Sequence, residues 1–272
     1  MLMTAKVTKN KYRKGLSTVE SRVLSDLAFR GKTFITPVDL RAYDLDAGRF
    51  LHRLETKGWV AWVKRNLYMI APLDAGPDGA RAYTVHSLVL ASHLVSPSYI
   101  GFWSALNYHG MTDATPPAVF VATTASRARR TVFDVPVVFV TLRPWKMFGT
   151  TRARIGGEDV PLSDPEKTAV DCLDHPEHAG GIPLVAAALR EAWDSLDFPK
   201  VLRYARRIGN STVLKRLGYL LEASGRKEEA ARVRRGPLRE GYSKLDPKLP
   251  ATGPISERWK LRVNVTPEMQ EG

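Results

Sequence analysis

One short segment constrains this chain more than any other. Between residues 47 and 57, Phe50, Leu51 and Leu54 recur on one helical stripe. Arg49, His52, Arg53 and Thr56 fall on the opposite stripe, spaced i, i+3, i+4 and i+7. Asp46 suits the N-cap and Gly58 the stop, which predicts a helix from 47 to about Lys57. Such a helix can bury only one side, and its other side is cationic. The apolar side therefore needs partners close by in the chain.

The flanking sequence supplies them. Ser17-Thr18-Val19-Glu20 offers a capping box, and Val19, Val23, Leu24, Leu27 and Ala28 follow at helical spacing until Gly31. A second short helix is predicted with Thr36 as cap, Pro37 as first residue and Leu40 as core contact. Downstream, the β-prone runs 59–63 and 67–70 surround Lys64-Arg65-Asn66, which reads as a hairpin with a cationic tip. Three short helices and a hairpin predict a winged helix-turn-helix domain over residues 1–75. The candidate DNA contacts are Lys11, Arg13 and Lys14 of a basic arm that also holds Lys6 and Lys9, then Thr36, Arg49, His52, Arg53, Thr56, Lys57, Lys64, Arg65 and Asn66. An Arg fork can bond guanine O6 and N7 in the major groove, while the hairpin tip suits the phosphate backbone. The bland alternative is a mobile arm and a solvated helix face. His52 has no partners at metal-ligand spacing.

Charge points the same way. The 272 residues carry a net +13. Residues 1–70 hold 14 Lys/Arg against 6 Asp/Glu, 71–200 hold 11 against 14, and 201–272 hold 16 against 8. Two basic ends flank a mildly acidic middle, which suits a polyanionic partner. The single Cys172 excludes a disulfide framework within one chain and reads as a small core residue. No apolar run is long enough to span a bilayer and no export signal core follows the basic start, so a cytoplasmic protein without a membrane partner is expected.

Asp74-Ala75-Gly76-Pro77-Asp78-Gly79 reads as a linker into a second domain, 76–272. Helices are predicted over 83–94 and 100–109 and strands over 118–123, 136–142 and 152–155. Arg127, Arg129 and Arg130 sit in a loop that reads either as a contact for nucleic acid or acidic protein, or as solvated surface. Ser163-Asp164-Pro165-Glu166-Lys167 suggests a capping box of Ser163 with Glu166. The same run suggests a metal-dependent nuclease using Asp164, Glu166 and Lys167, although sequence shows no second carboxylate set. His175 and His178 are three apart, but Pro176 disfavours a shared helical face. Helices 183–195, 199–208, 211–224 and 227–235 follow, with a basic end over 199–235 in which Lys200, Arg203, Arg207, Lys215 and Arg216 form a candidate partner or nucleic-acid surface. Residues 259–265 alternate like a strand. The predicted class is α+β: a winged helix, then a mixed α/β domain ending in a helical subregion. No cofactor, metal or catalytic motif is apparent.

Three stretches carry a resemblance: Tyr99-Ile100-Gly101-Phe102-Trp103-Ser104-Ala105-Leu106-Asn107-Tyr108-His109-Gly110, Asp164-Pro165-Glu166-Lys167-Thr168, and Lys215-Arg216-Leu217-Gly218-Tyr219-Leu220-Leu221-Glu222. The chain resembles the AbiEi family of antitoxins of bacterial abortive-infection, type IV toxin–antitoxin systems. The resemblance implies an N-terminal winged helix joined to an antitoxin domain, binding of operator DNA with inverted repeats, repression of its own operon, and action against a nucleotidyltransferase-like toxin. It implies no enzyme. Two other functions fit the residues: a regulator with a ligand- or protein-sensing C-terminal domain and no toxin, and a winged-helix-targeted nuclease.

Overall fold

The protein is described by a computed structural model covering residues 12–81, 83 and 85–266; Lys6, Lys9 and Lys11 lie outside these. Backbone contacts divide the chain into two compact units, one running to His86 and taking in Gly156–Glu158, the other formed by Ser87–Ile155 and the chain from Asp159 onward.

The first unit begins with α1 (Thr18–Phe29), started by the expected capping box in which Ser17 and Glu20 bond reciprocally. β1 (Phe34–Ile35) leads to a 3-10 turn, Pro37–Tyr43, where the sequence suggested a second short helix. Asp46 then caps α2 (Ala47–Thr56) by accepting from Arg49 N at 3.0 Å. β2 (Val60–Lys64) and β3 (Leu67–Ile70) form the hairpin, and β3 also pairs antiparallel with β1. Val23, Leu24, Leu27, Ile35, Leu40, Phe50, Leu51, Leu54, Val60 and Ile70 make the core. Val19 and Ala28, expected in the α1 stripe, are exposed. Of α1, Val23, Leu24 and Leu27 reach this core.

The second unit opens with α3 (Ser87–Ser92), shorter than the predicted 83–94. β4 (Ser98–Ile100) turns sharply into α4 (Phe102–Tyr108), so Ile100, predicted helical, belongs to a strand. β5 (Val119–Thr123), β6 (Arg130–Val132), β7 (Val135–Thr141), β8 (Thr150–Ile155) and β9 (Glu158–Ser163) complete a six-stranded sheet of order β6-β7-β5-β4-β9-β8. β5 runs parallel to β7 and antiparallel to β4, while β4 runs parallel to β9. β5 is buried at all five positions, as a strand covered on both faces requires. The β8–β9 turn is Gly156-Gly157, both at positive φ (+55° and +82°), a conformation that side chains resist.

Five helices pack beyond the sheet: α5 (Pro165–Asp174), α6 (Ile182–Ala192), α7 (Phe198–Ile208), α8 (Ser211–Ala223) and α9 (Lys227–Arg234). Short strands β10 (Ser243–Lys244), β11 (Ile255–Ser256) and β12 (Leu261–Arg262) close the chain. Where sequence suggested one strand over 259–265, two residues pair, parallel to β10 and antiparallel to β11. The core joins Leu173, Val185, Val201, Leu217, Leu220 and the fully buried Trp259. α5 begins at Asp164, which caps Lys167 N at 2.7 Å, and not at Ser163. Ser163 ends β9 and bonds Thr168 Oγ1 at 2.7 Å, so the expected Ser163–Glu166 capping box is not formed.

Gly218 of α8 faces the Trp259 ring, and a Cβ added there would lie 2.0 Å from it. Alanine ordinarily favours a helix over glycine by up to about 1 kcal/mol, but overpacking a core costs about 1–3 kcal/mol or more. Gly218→Ala is therefore expected to destabilise the protein by roughly 2 kcal/mol in urea unfolding. A neutral or stabilised variant would mean that Trp259 yields freely.

Candidate nucleic-acid interface

The face of α2 opposite its core stripe carries Arg49, His52, Arg53 and Thr56, all exposed. The Arg49 side chain is 84% exposed, with Nε 3.4 Å from Asp46. Arg53 lies 3.8 Å from Glu20 and 6.0 Å above the Phe50 ring. The Thr56 hydroxyl donates to the His52 carbonyl at 2.9 Å, which leaves its methyl as the free group. Glu20 anchors this arrangement. It accepts from Ser17 N at 2.7 Å and from Lys57 Nζ at 2.5 Å, tying the start of α1 to the end of α2. Burial alone would raise the Glu20 pKa; bonds from Lys57 and Ser17 outweigh it and hold the carboxyl below its usual value.

The other expected contacts divide. Lys14 is exposed, and its carbonyl accepts from Trp59 Nε1 at 2.8 Å. Arg65 is exposed at the hairpin turn, followed by Asn66 in the left-handed region at φ +60°. Lys64 ends β2 and is half-buried. Three residues have their polar groups turned inward. The Arg13 guanidinium bonds the carbonyls of Ala71 and Pro72 at 3.1 and 2.5 Å and stacks 4.4 Å from the Trp59 ring. The Thr36 hydroxyl donates to Asp39 at 2.6 Å, and Lys57 is taken by Glu20. A residue the sequence did not single out is Trp62, 51% exposed and paired across the hairpin with Tyr68. Strand alternation places it beside Val60, but the register shifts between Trp62 and Lys64, and Val63 is buried instead.

In the second unit, Arg127 and Arg129 are exposed and Arg130 lies half-buried in β6, a strand where a loop was expected. Arg203 and Arg207 are exposed on α7, Arg207 stacking 4.0 Å from the Phe148 ring. Lys200 bonds Glu166 at 2.7 Å and lies 3.3 Å from Asp164. Lys215 and Arg216, expected on the surface, are buried, at 2% and 4% exposure. Lys215 donates to the Gly241 carbonyl at 2.6 Å; Arg216 donates to the carbonyls of Leu173 and Leu245 at 2.7 and 2.8 Å. Burial lowers both pKa values, yet backbone oxygens satisfy both groups. The segment after α9 folds over them, and no local pattern announces that cover.

The Asp164-Pro165-Glu166-Lys167 run is likewise turned inward. Asp164 caps α5 and accepts from Tyr204 at 3.1 Å, while Glu166 takes Lys200. Lys167 is fully buried; its Nζ ion-pairs with Asp171 and lies 2.9 Å from the Tyr99 hydroxyl, which itself donates to Asp171 at 2.7 Å. Among the described residues no group of three or more His, Cys, Asp or Glu could hold a metal ion. His175 bonds Glu177, and both rings pack edge-on against Phe102 with their own centroids 6.1 Å apart.

The geometry defines an α+β protein with a cation-faced helix in one unit and a sheet with a helical layer in the other. Residues 99–223 match the family model for the AbiEi antitoxin C-terminal domain. The resemblance read from the sequence is thereby borne out over residues 99–223, and the match supports an antitoxin role in a toxin–antitoxin system. A solved structure, the RV2827C protein from Mycobacterium tuberculosis, shares the fold with a TM-score of 0.67 at 15% identity, over 94% of each chain. No curated protein matches the chain. No helix among the described residues is long and apolar enough to cross a membrane.

Two outcomes follow from these contacts. A carboxyl held low stabilises the fold above its unfolded pKa, roughly 4.3, and that contribution disappears as pH falls through the folded value. Stability should therefore drop in acid, and Glu20→Gln should flatten the drop while costing stability at pH 7. Lys167→Met strands a buried Asp171 and should cost about 3–5 kcal/mol in denaturant unfolding. Adding Asp171→Leu and Tyr99→Phe removes the stranded polar groups and should restore most of it; no recovery would mean packing, not charge, sets the loss.

Proposed function

We propose that the chain is the antitoxin of a type IV toxin–antitoxin system that binds operator DNA, represses its own operon and counteracts a nucleotidyltransferase-like toxin. Under this proposal residues 1–75 act as a winged helix and residues 76–272 as the antitoxin domain. The antitoxin role rests on the family match over residues 99–223. For DNA binding, the observation that carries the reading is α2: its apolar stripe is buried while Arg49, His52 and Arg53 are exposed together. The helix fits a major groove, and its Arg49 and Arg53 stay exposed although they lie 3.4 Å from Asp46 and 3.8 Å from Glu20. Arg65 at the hairpin turn and Lys14 are placed to meet phosphates, and the exposed Arg127, Arg129, Arg203 and Arg207 extend a partner surface on the second unit. Arg13, Thr36 and Lys57 serve as supports of the DNA-binding unit, since their polar groups already bond protein atoms.

Footprinting on the DNA upstream of its own gene, titrated against salt, tests the proposal. Protection of paired repeats is expected. Arg53→Ala should cost roughly 1–3 kcal/mol on operator and much less on random DNA, whereas Arg65→Ala should weaken both and reduce the salt slope by about 1. Equal losses on both DNAs with Arg53→Ala would remove base reading from α2. Rescue of growth by coexpression with the adjacent toxin gene tests the antitoxin half separately.

A further inference from the structure

The second unit contains a cleft of about 380 Å³ where the end of α7, the start of α8 and the chain leaving α9 meet. Ala205, Leu214 and Leu238 give it an aliphatic wall, while Arg206, Arg239 and Ser211 bring polar groups to it. Its sides are tied together, because Arg239 N donates to Ser211 Oγ at 3.0 Å and so holds the chain after α9 against α8. The Arg206 guanidinium rests beside Gly236, 3.7 Å from where a Cβ would stand.

The charges around this cleft do not balance. Neither residues 198–221 nor residues 230–239 contain an Asp or Glu. Arg206 and Arg239 are both exposed, and neither guanidinium has a hydrogen bond or ion pair among the described residues. Other arginines nearby are engaged, Arg207 over the Phe148 ring at 4.0 Å and Arg232 over Phe198 at 5.0 Å. The acids that approach this region are committed elsewhere. Asp174 accepts from Asn210 Nδ2 at 2.7 Å, but its side chain is 2% exposed and pairs with Lys146 at 2.5 Å. Glu240 follows Arg239 in the chain and makes no ion pair with it; its field acts on Lys215. Two guanidiniums thus share one cleft without a carboxylate between them.

We propose that this cleft binds a phosphate monoester carried on a small organic body. Guanidinium forks match phosphate oxygens in pairs, and a monoester carries between about one and a half and two negative charges at neutral pH. The Ser211 hydroxyl accepts from Arg239 N and keeps its own proton for a further bond to the phosphate. The body packs on Ala205, Leu214 and Leu238, in a cleft of the size that holds small ligands, roughly 300–1,000 Å³. A nucleic-acid backbone offers one charge per phosphate and no free end, which matches a concave, aliphatic-walled site with two cations less well. The proposal is independent of DNA binding by the first unit.

Isothermal titration calorimetry on the full chain tests it, with adenosine 5′-monophosphate, ribose 5-phosphate, uncharged adenosine and a random-sequence DNA duplex as probes. Saturable binding of a phosphorylated small probe and none of adenosine is expected. Arg239→Ala removes an exposed side chain, keeps the main-chain bond to Ser211, and should weaken binding roughly tenfold, the loss of one charge-assisted contact. Arg234→Ala removes an exposed arginine of α9 that does not line the cleft and should leave binding unchanged. Equal weakening by the two variants would mean diffuse attraction of anions to a basic protein and would overturn the proposal. Binding insensitive to Arg239→Ala, or no saturable binding of either phosphorylated small probe, would overturn it too. Duplex binding that depends on Arg239 in the latter case would give the cleft to nucleic acid instead.

Discussion

The second unit depends on a charge buried where none is expected. Lys167 enters α5 in its first turn and is fully enclosed, and it can be so only because Asp171 lies one turn along the same helix and Tyr99 projects from β4. A buried ammonium without partners would cost several kcal/mol, so the three groups must arrive together or not at all. That requirement fixes the distance and register between β4 and α5. α5 is the element on which sheet and helical layer both rest, with nine of its ten residues buried. Its start is fixed by a second set of contacts, in which Asp164 and Glu166 draw Lys200 and Tyr204 of α7 onto the cap.

Charge that is spent inside the protein is not available to a partner, and this separates the two basic ends of the chain. In α2 Arg49 and Arg53 lie opposite the apolar stripe and are exposed among the described residues. In α8 the apolar stripe is equally clear, but Lys215 and Arg216 meet the carbonyls of the chain that follows α9. The same residue types at similar helical spacing thus present an outward surface in one unit and an internal brace in the other. The net charge of the last seventy residues overstates the positive surface they offer. The exposed cations of the second unit include Arg203, Arg206 and Arg207 of α7, Arg232 and Arg234 of α9, and the loop arginines Arg127 and Arg129.

The brace has a further consequence. Arg216 donates its hydrogen bonds to the carbonyls of Leu173 and Leu245, so a formal charge is held inside the domain by groups that carry none.

What the sequence determined by itself was local. Ser17 with Glu20, Asp46 with Arg49 N, and the stripe Phe50, Leu51, Leu54 are decided within one helical turn, because caps and periodicity depend on residues three or four apart. The helices of the last third were legible for the same reason, their ends marked by Gly180-Gly181, Gly209 and Gly225. Only the tertiary structure decided the rest. β4 and β9 pair from sixty residues apart, so a three-residue strand ahead of Gly101 had no local signature to distinguish it from the helix it enters. Asp164 displaced Ser163 as cap because Ser163 was needed in β9. Whether a lysine or arginine faced solvent depended on distant chain: a segment 26 to 29 residues downstream folds over Lys215 and Arg216, whereas Arg49 and Arg53 are exposed. Side-chain chemistry fixes which partners a charge requires; the chain's long-range path fixes whether the protein or another molecule provides them.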